Sequence, residues 1–362
     1  MNNHKYLFPL LCLLFILTAC SLEGKADIQN KKADNDSTSV IDYLGREVTI
    51  PKEVNRIACL YAYTGHVVTM LGEGEKIVAV NGGLQRDTLL LEMNPAIEKA
   101  AVPVLNGKLN IEELATSNPD LIFIQESTAN DKGEVRKLEE LKIPYLVVNF
   151  NNIKEQQQSV EMIGKAIGQT EKAKQFNDFY NEAITMVTQR VKDIPEKDRV
   201  RVYHSINEAT RTNYPGSLPA EWIKLVGAIN VSDDENLKMF ENKYFASLEQ
   251  ILLWDPDVIL VNQEGVSDYI LDSPQWQTLT AVKNKEVFQL PNGVSRWGHP
   301  GGLETALAIL WTAKTLYPGK FEDIDMEEVT GKFYEDFFNY PLSPELSRKI
   351  LTGKDMRTPK GN

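Results

Sequence analysis

The sequence is short of cysteine, of positive charge and of any apolar run long enough to cross a membrane. It holds three cysteines in 362 residues and no CxxC pair, which excludes a disulfide-stapled scaffold and a thiolate metal or redox motif. Lysine and arginine number 39 against 51 aspartates and glutamates, a formal net charge of −12, and no basic stripe with interleaved aromatics relieves it. Nucleic acid is therefore not an expected partner. The longest apolar stretch, Tyr6 to Leu17, falls short of the ~20 residues of a spanning helix. GxSxG and Walker patterns are missing, and Gly72-Glu73-Gly74 lacks the third glycine of a dinucleotide fingerprint, so no enzyme is expected. The four histidines form no HxH or HExxH pattern that would bring two ligands together locally.

What the chain does have is one short device written twice. Ile111 to Ile124 reads IEELATSNPDLIFI and Leu248 to Val261 reads LEQILLWDPDVILV. Aligned without a gap, Glu112 meets Glu249, Pro119 meets Pro256 and Asp120 meets Asp257. Each copy predicts a short helix, a Pro-Asp turn and a buried strand. Around them, apolar strand-like runs alternate with helical periodicity: RIACLYA, KIVAV, the run from Asp120 to Ile124 and Tyr145 to Val148 in the first half, then RVRVYHSI, Asp257 to Val261 and Glu286 to Leu290 in the second. Such alternation predicts parallel sheets flanked by helices. Between the halves, Thr170 to Asp193 lacks glycine and proline and carries apolar residues at helical spacing, one rigid helix of about 36 Å. The fold expected is α/β, two Rossmann-like lobes joined by one long helix with a ligand cleft between them. Its divisions are 41–168, 169–195 for the bridging helix, 196–340, and a tail over 341–362.

The first twenty residues have the layout of a secretory signal, a lysine followed by the apolar run and then small residues. Leu17-Thr18-Ala19-Cys20 resembles the lipobox of bacterial lipoproteins. That resemblance implies a cleaved signal over 1–19, a diacylated Cys20, and a polar tether over 20–40. The protein would then be lipid-anchored on the extracytoplasmic face of a bacterial cytoplasmic membrane. Cys12 leaves with the signal, so Cys59 stands alone.

The lipobox, DYLGREVTIPKEVNRIACL, NIEELATSNPDLIFI, the lone bridging helix, SLEQILLWDPDVILV and AVKNKEVFQLP together resemble the substrate-binding lipoproteins of ABC importers, in the class that carries ferric siderophores, haem and cobalamin. The likeness runs from about Cys20 to Phe338. It implies that Glu112 and Glu249, one per lobe, dock onto the permease subunits that work with a cytoplasmic ATPase. Either glutamate could instead merely favour the macrodipole at the start of its helix.

Ligands of open α/β sheets bind at the carboxyl ends of the strands. The candidates there are Tyr61, Tyr63, Asn81 and Gln125 in the first half. His204, Arg211, Tyr214, Gln263, Arg296, Trp297 and His299 are those in the second. Aromatic walls with arginines suit an anionic metal chelate. The expected cargo is thus an iron chelate of siderophore, haem or cobalamin type, with no resident cofactor and a monomeric carrier. Molybdate or tungstate, nickel or cobalt chelates, and a scavenger or adhesin without a transporter are the alternatives. Any of the three histidines beyond the signal could be a hydrogen-bonding residue or a metal ligand.

Overall fold

Apolar runs rich in β-branched residues build two small parallel sheets of identical connectivity. In the first lobe Ile57–Cys59, Ile77–Val80, Leu121–Gln125 and Tyr145–Val148 lie side by side in the order second, first, third, fourth. In the second lobe Arg201–Ser205, Ile229–Asn230, Val258–Val261 and Val287–Gln289 repeat that order. Neighbouring strands are parallel throughout. The structure, a computed structural model, describes residues 36–105, 107–233, 237–241 and 243–359. The expected signal segment, Cys20 and the tether up to residue 35 lie outside the described residues. Among the described residues no helix is long and apolar enough to cross a membrane.

The repeated device occupies the same place in both lobes, immediately before the third strand. Its helices are Ile111–Thr116 and Leu248–Trp254. Asn110 Oδ1 accepts from Glu113 N–H and Ser247 Oγ from Gln250 N–H, each at 3.2 Å, capping the two N-termini. At the other ends Asn118 (φ 47°) and Asp255 (φ 42°) turn left-handed, and the prolines that follow forbid another helical turn. Arg56 donates to the carbonyls of Asn118 (2.8 Å) and Ser117 (2.7 Å), and Arg201 to that of Trp254 (2.5 Å). A cation thus sits on the negative end of each helix.

The aspartates do more than shape a turn. Asp120 accepts from the N–H groups of Asn55 and Arg56 at 2.9 Å, and Asp257 from that of Arg201 at 2.8 Å. Their own N–H groups donate to Arg56 O (2.7 Å) and Arg201 O (2.9 Å). Each aspartate therefore ties the third strand to the start of the first.

The bridging helix is Thr170–Val191. It packs against Ile153–Ala166 and against Thr305–Leu316, so it is flanked on both sides. Phe176 and Phe179 meet Phe333 and Phe337 of the helix Met326–Phe338, with ring centroids 5.5 to 6.3 Å apart. Burying Phe176 and Phe333, the two fully buried rings, stabilises by about 1.5–3 kcal/mol each. One continuous buried cluster runs from Val40 through this helix to Met356. Hydrogen bonds also cross between the lobes, from Gln156 Nε2 to Gly302 O (2.8 Å) and from Ile153 N–H to Glu221 Oε2 (2.7 Å). This packing restricts relative movement of the lobes.

Three features depart from expectation. Ser37–Ile41 already pairs with Glu47–Pro51 around Gly45, so strand structure begins before residue 41. An antiparallel patch of Arg211–Thr212, Lys243–Phe245 and Lys238–Phe240 is added to the second lobe. Residues beyond 340 are no loose tail: the helix Pro344–Thr352 is followed by a segment that returns to the first lobe.

Candidate functional site

In both sheets the chain reverses direction of travel between the first and third strands, where a crevice opens at the carboxyl ends. Two adjoining cavities lie at these ends, with volumes of about 480 and 180 Å³. Tyr61, Asn81, Gln125, Arg211, Tyr214 and His299 line the larger, and Tyr61, Tyr63, Asn81, Arg296 and His299 line the smaller. Residues far apart in sequence are brought together as the strand-end rule expects. Two are not. Trp297 is fully buried within the main core, and His204 is fully buried with its ring edge-on to Trp222 at 5.5 Å. Neither lines a cavity, which corrects their assignment as ligand contacts.

Trp297 anchors the loop that carries Arg296 and His299 in the core, and His204 backs that loop from behind. Gly298 has φ 71°, and a Cβ there would meet Trp222 at 3.0 Å and His204 Nε2 at 3.5 Å. Only glycine tolerates that backbone and that approach. Glu304, buried beneath the loop, accepts from Ser295 N–H (2.7 Å), Ser295 Oγ (2.8 Å) and the Tyr334 hydroxyl. Burial raises its pKa, with these donors opposing.

Arg296 Nη1 donates to Gln263 Oε1 at 2.9 Å and to Asn207 Oδ1. Burial pulls its pKa down to about 9, helped by Arg357 and opposed by Asp87. His299 is pushed well below the ordinary histidine value by burial and then by Arg296, Arg357 and Arg211, so it is neutral at pH 7. Its Nδ1 accepts from Gly301 N–H at 3.1 Å, which leaves the ring proton on Nε2 as a donor. Burial also lowers Arg211. Poorly solvated cations without full compensation are costly, and an anion placed among them relieves that cost.

Several lining residues were not anticipated. Asn149, Phe150 and Asn151 follow the fourth strand of the first lobe, so the rule that selected Asn81 reaches them too. Lys243 and Tyr244 come from the added antiparallel patch, and Tyr244 stacks near Tyr214 with centroids 4.7 Å apart. Tyr214 donates across the cleft to Asn151 Oδ1 at 3.0 Å. Asp87 and Arg357 line the smaller cavity, where Asp87 pairs with Arg357 (3.1 Å) and His66 (3.2 Å). Among the described residues Asp87 is the single carboxylate lining either cavity, against Arg211, Lys243, Arg296 and Arg357. Among the described residues no cluster of three or more histidine, cysteine, aspartate or glutamate side chains could hold a metal ion.

Glu112 and Glu249 are exposed in the first turns of their helices. Each helix leads directly into the third strand of its sheet, so the two glutamates hold equivalent places in the two lobes. The Glu249 carboxyl is held below its ordinary value by its own backbone N–H and by Ser247.

Residues 57–294 match the family model described as periplasmic binding protein. The molybdate-binding protein MolA of Haemophilus influenzae is 27% identical, over 84% of this chain and 92% of its own. Its molybdate-bound crystal structure superposes with a TM-score of 0.75 at 24% identity, covering 84% of this chain and 99% of that one. A periplasmic solute binding protein from Veillonella parvula gives a TM-score of 0.76 at 25% identity, over 88% and 99% of the two chains. The vitamin B12-binding protein of Vibrio vulnificus is 22% identical over 71% of this chain and 88% of its own. The chain belongs to the periplasmic binding protein family, the substrate-binding proteins of ABC transporters.

Proposed function

We propose that the protein is an extracytoplasmic binding lipoprotein whose cleft captures a small tetrahedral oxyanion of the molybdate and tungstate type for an ABC importer. The observation that carries this is the charge of the cavities: four cationic side chains face one carboxylate in a chain of net charge −12. Guanidinium groups match oxyanions in geometry and charge, and a focused positive potential draws them in. The neutral Nε2–H of His299 and the amide of Asn81 add donors that carry no charge. The 180 Å³ cavity suits a small anion with a few waters, each of which takes about 30 Å³. The likeness to the Haemophilus molybdate-binding protein supports the same cargo.

A second reading is favoured by one observation, the aromatic wall of Tyr61, Tyr214 and Tyr244 in the 480 Å³ cavity. Such a wall fits an anionic iron chelate of siderophore, haem or cobalamin type, or a nickel or cobalt chelate. In either case the ligand is cargo, and no resident cofactor is needed.

Delivery follows from the lipid anchor at Cys20 and from Glu112 and Glu249. Two separated carboxylates orient a monomer on a two-fold permease through complementary charge. Calorimetric titration of the full chain with molybdate, tungstate, sulfate, a ferric siderophore, haem and cobalamin tests the cargo. Saturable heat with molybdate and tungstate is expected. Silence with both, alongside saturable binding of one chelate, overturns the oxyanion assignment in favour of the second.

A further inference from the structure

The C-terminal segment crosses from one lobe to the other. It leaves the second lobe where Asn292 N–H donates to Ile350 O (3.0 Å) and where Asp355 N–H donates to the Glu264 carboxylate (3.2 Å). Gly353, at φ 69°, packs so tightly that a Cβ would lie 2.3 Å from Leu290 O. The segment then pairs with the first lobe: Thr88 N–H and Oγ1 donate to Met356 O (3.1 and 2.9 Å), and Thr358 N–H donates to Arg86 O (2.8 Å). Between these two bonds stands Arg357, opposite Asp87 in an antiparallel bridge.

We propose that Arg357, carried in by this strap, is a ligand-binding residue of the cleft and holds the bound oxyanion together with Arg296. The inference rests on the oxyanion reading above. Both guanidinium groups line the same 180 Å³ cavity, Arg296 from the loop after the second lobe's fourth strand and Arg357 from the C-terminal strap. Arg357 Nη2 donates to Gly83 O of the first lobe (3.0 Å), and its Nε lies 3.1 Å from Asp87 as an ion pair without a hydrogen bond of its own. The bond and the ion pair hold the guanidinium at the cavity, while Asp87 also faces His66 at 3.2 Å. The competing role is purely structural, in which Arg357 does no more than neutralise a buried aspartate.

A double-mutant cycle separates the two roles. Tungstate is titrated calorimetrically into the full-length protein, its Arg357→Gln and Asp87→Asn variants and the double variant, with thermal midpoints recorded alongside. Arg357→Gln is expected to weaken tungstate about tenfold or more, and Asp87→Asn to tighten it by removing the single carboxylate. The double variant removes the buried Asp87 charge together with its half-buried partner and so tests binding even where Arg357→Gln folds poorly. It should bind about tenfold more weakly than Asp87→Asn alone. Equal affinity of the double variant and Asp87→Asn would reduce Arg357 to a counter-charge and overturn the inference while leaving the oxyanion site standing. Wild-type protein that fails to bind tungstate would remove the oxyanion reading and this inference together.

Discussion

Arg296 Nη1 donates to Gln263 Oε1 at 2.9 Å, joining the loop after the fourth strand of the second lobe to the end of its third. The strut holds a desolvated guanidinium at the cavity wall instead of letting it swing to solvent. Arg296→Ala should therefore cost about 2 kcal/mol of tungstate affinity, the worth of charge-assisted hydrogen bonds. Gln263→Ala removes only the strut and should cost less. Calorimetric titration of the two variants measures both losses.

The pH dependence of stability has a definite sign. Burial lowers the Arg296 pKa, so holding its charge in the empty cleft is costly, but a guanidinium keeps its proton over the working range and does not set the pH dependence. The buried histidines act at the acid end. His204 is lowered to about 3 by burial, with Asn213 opposing, and His299 is lowered well below its ordinary value. Stability is lost as pH falls from about 6.5, the unfolded histidine value, towards the folded one. Thermal melts should show a shallower acid loss in His204→Phe than in the parent.

Reversal of the charges of Glu112 and Glu249 tests their proposed docking role apart from capture. In cells, Glu112→Lys combined with Glu249→Lys should abolish uptake while calorimetry returns parental affinity. Undiminished uptake would refute the docking role.

The proposed lipid anchor would depend on one thiol. Cys20→Ser should shift the protein from the membrane fraction to the soluble extracytoplasmic fraction, and continued fractionation with membranes would contradict lipidation.

The paired clamps predict matched losses of stability. Asp120→Ala and Asp257→Ala each strand backbone N–H groups at the start of a first strand, Asn55 and Arg56 in one lobe and Arg201 in the other. Each variant should lose about 1.5–3 kcal/mol in a denaturant melt.

The lobes and their order were legible because buried parallel strands are written as unbroken apolar runs, as Tyr145–Val148 was, with bounds identical in sequence and structure. The internal repeat was legible for the same reason, down to Pro119 and Pro256. Its deeper content was not: Arg56 and Arg201 cap those helices from outside the repeat. Strand ends located Tyr61, Asn81 and Gln125, since parallel topology puts all carboxyl ends at one edge. Trp297 was misread because neighbours in a tight loop face different ways, and its large apolar ring fills the core while Arg296 and His299 face the cavity. Lys243 and Tyr244 sit on short antiparallel strands without a periodic signal. Arg357 follows the last strand by three helices, and only tertiary pairing with Asp87 returns it to the site.

The central claim is that an oxyanion lies among the arginines of the cleft. Crystals of the protein grown with tungstate and measured at the tungsten absorption edge address it directly. A single anomalous peak within hydrogen-bond distance of Arg296 and His299 is the predicted result. A well-ordered cleft with no tungsten in it, at tungstate concentrations that saturate the calorimetric signal, would contradict the account.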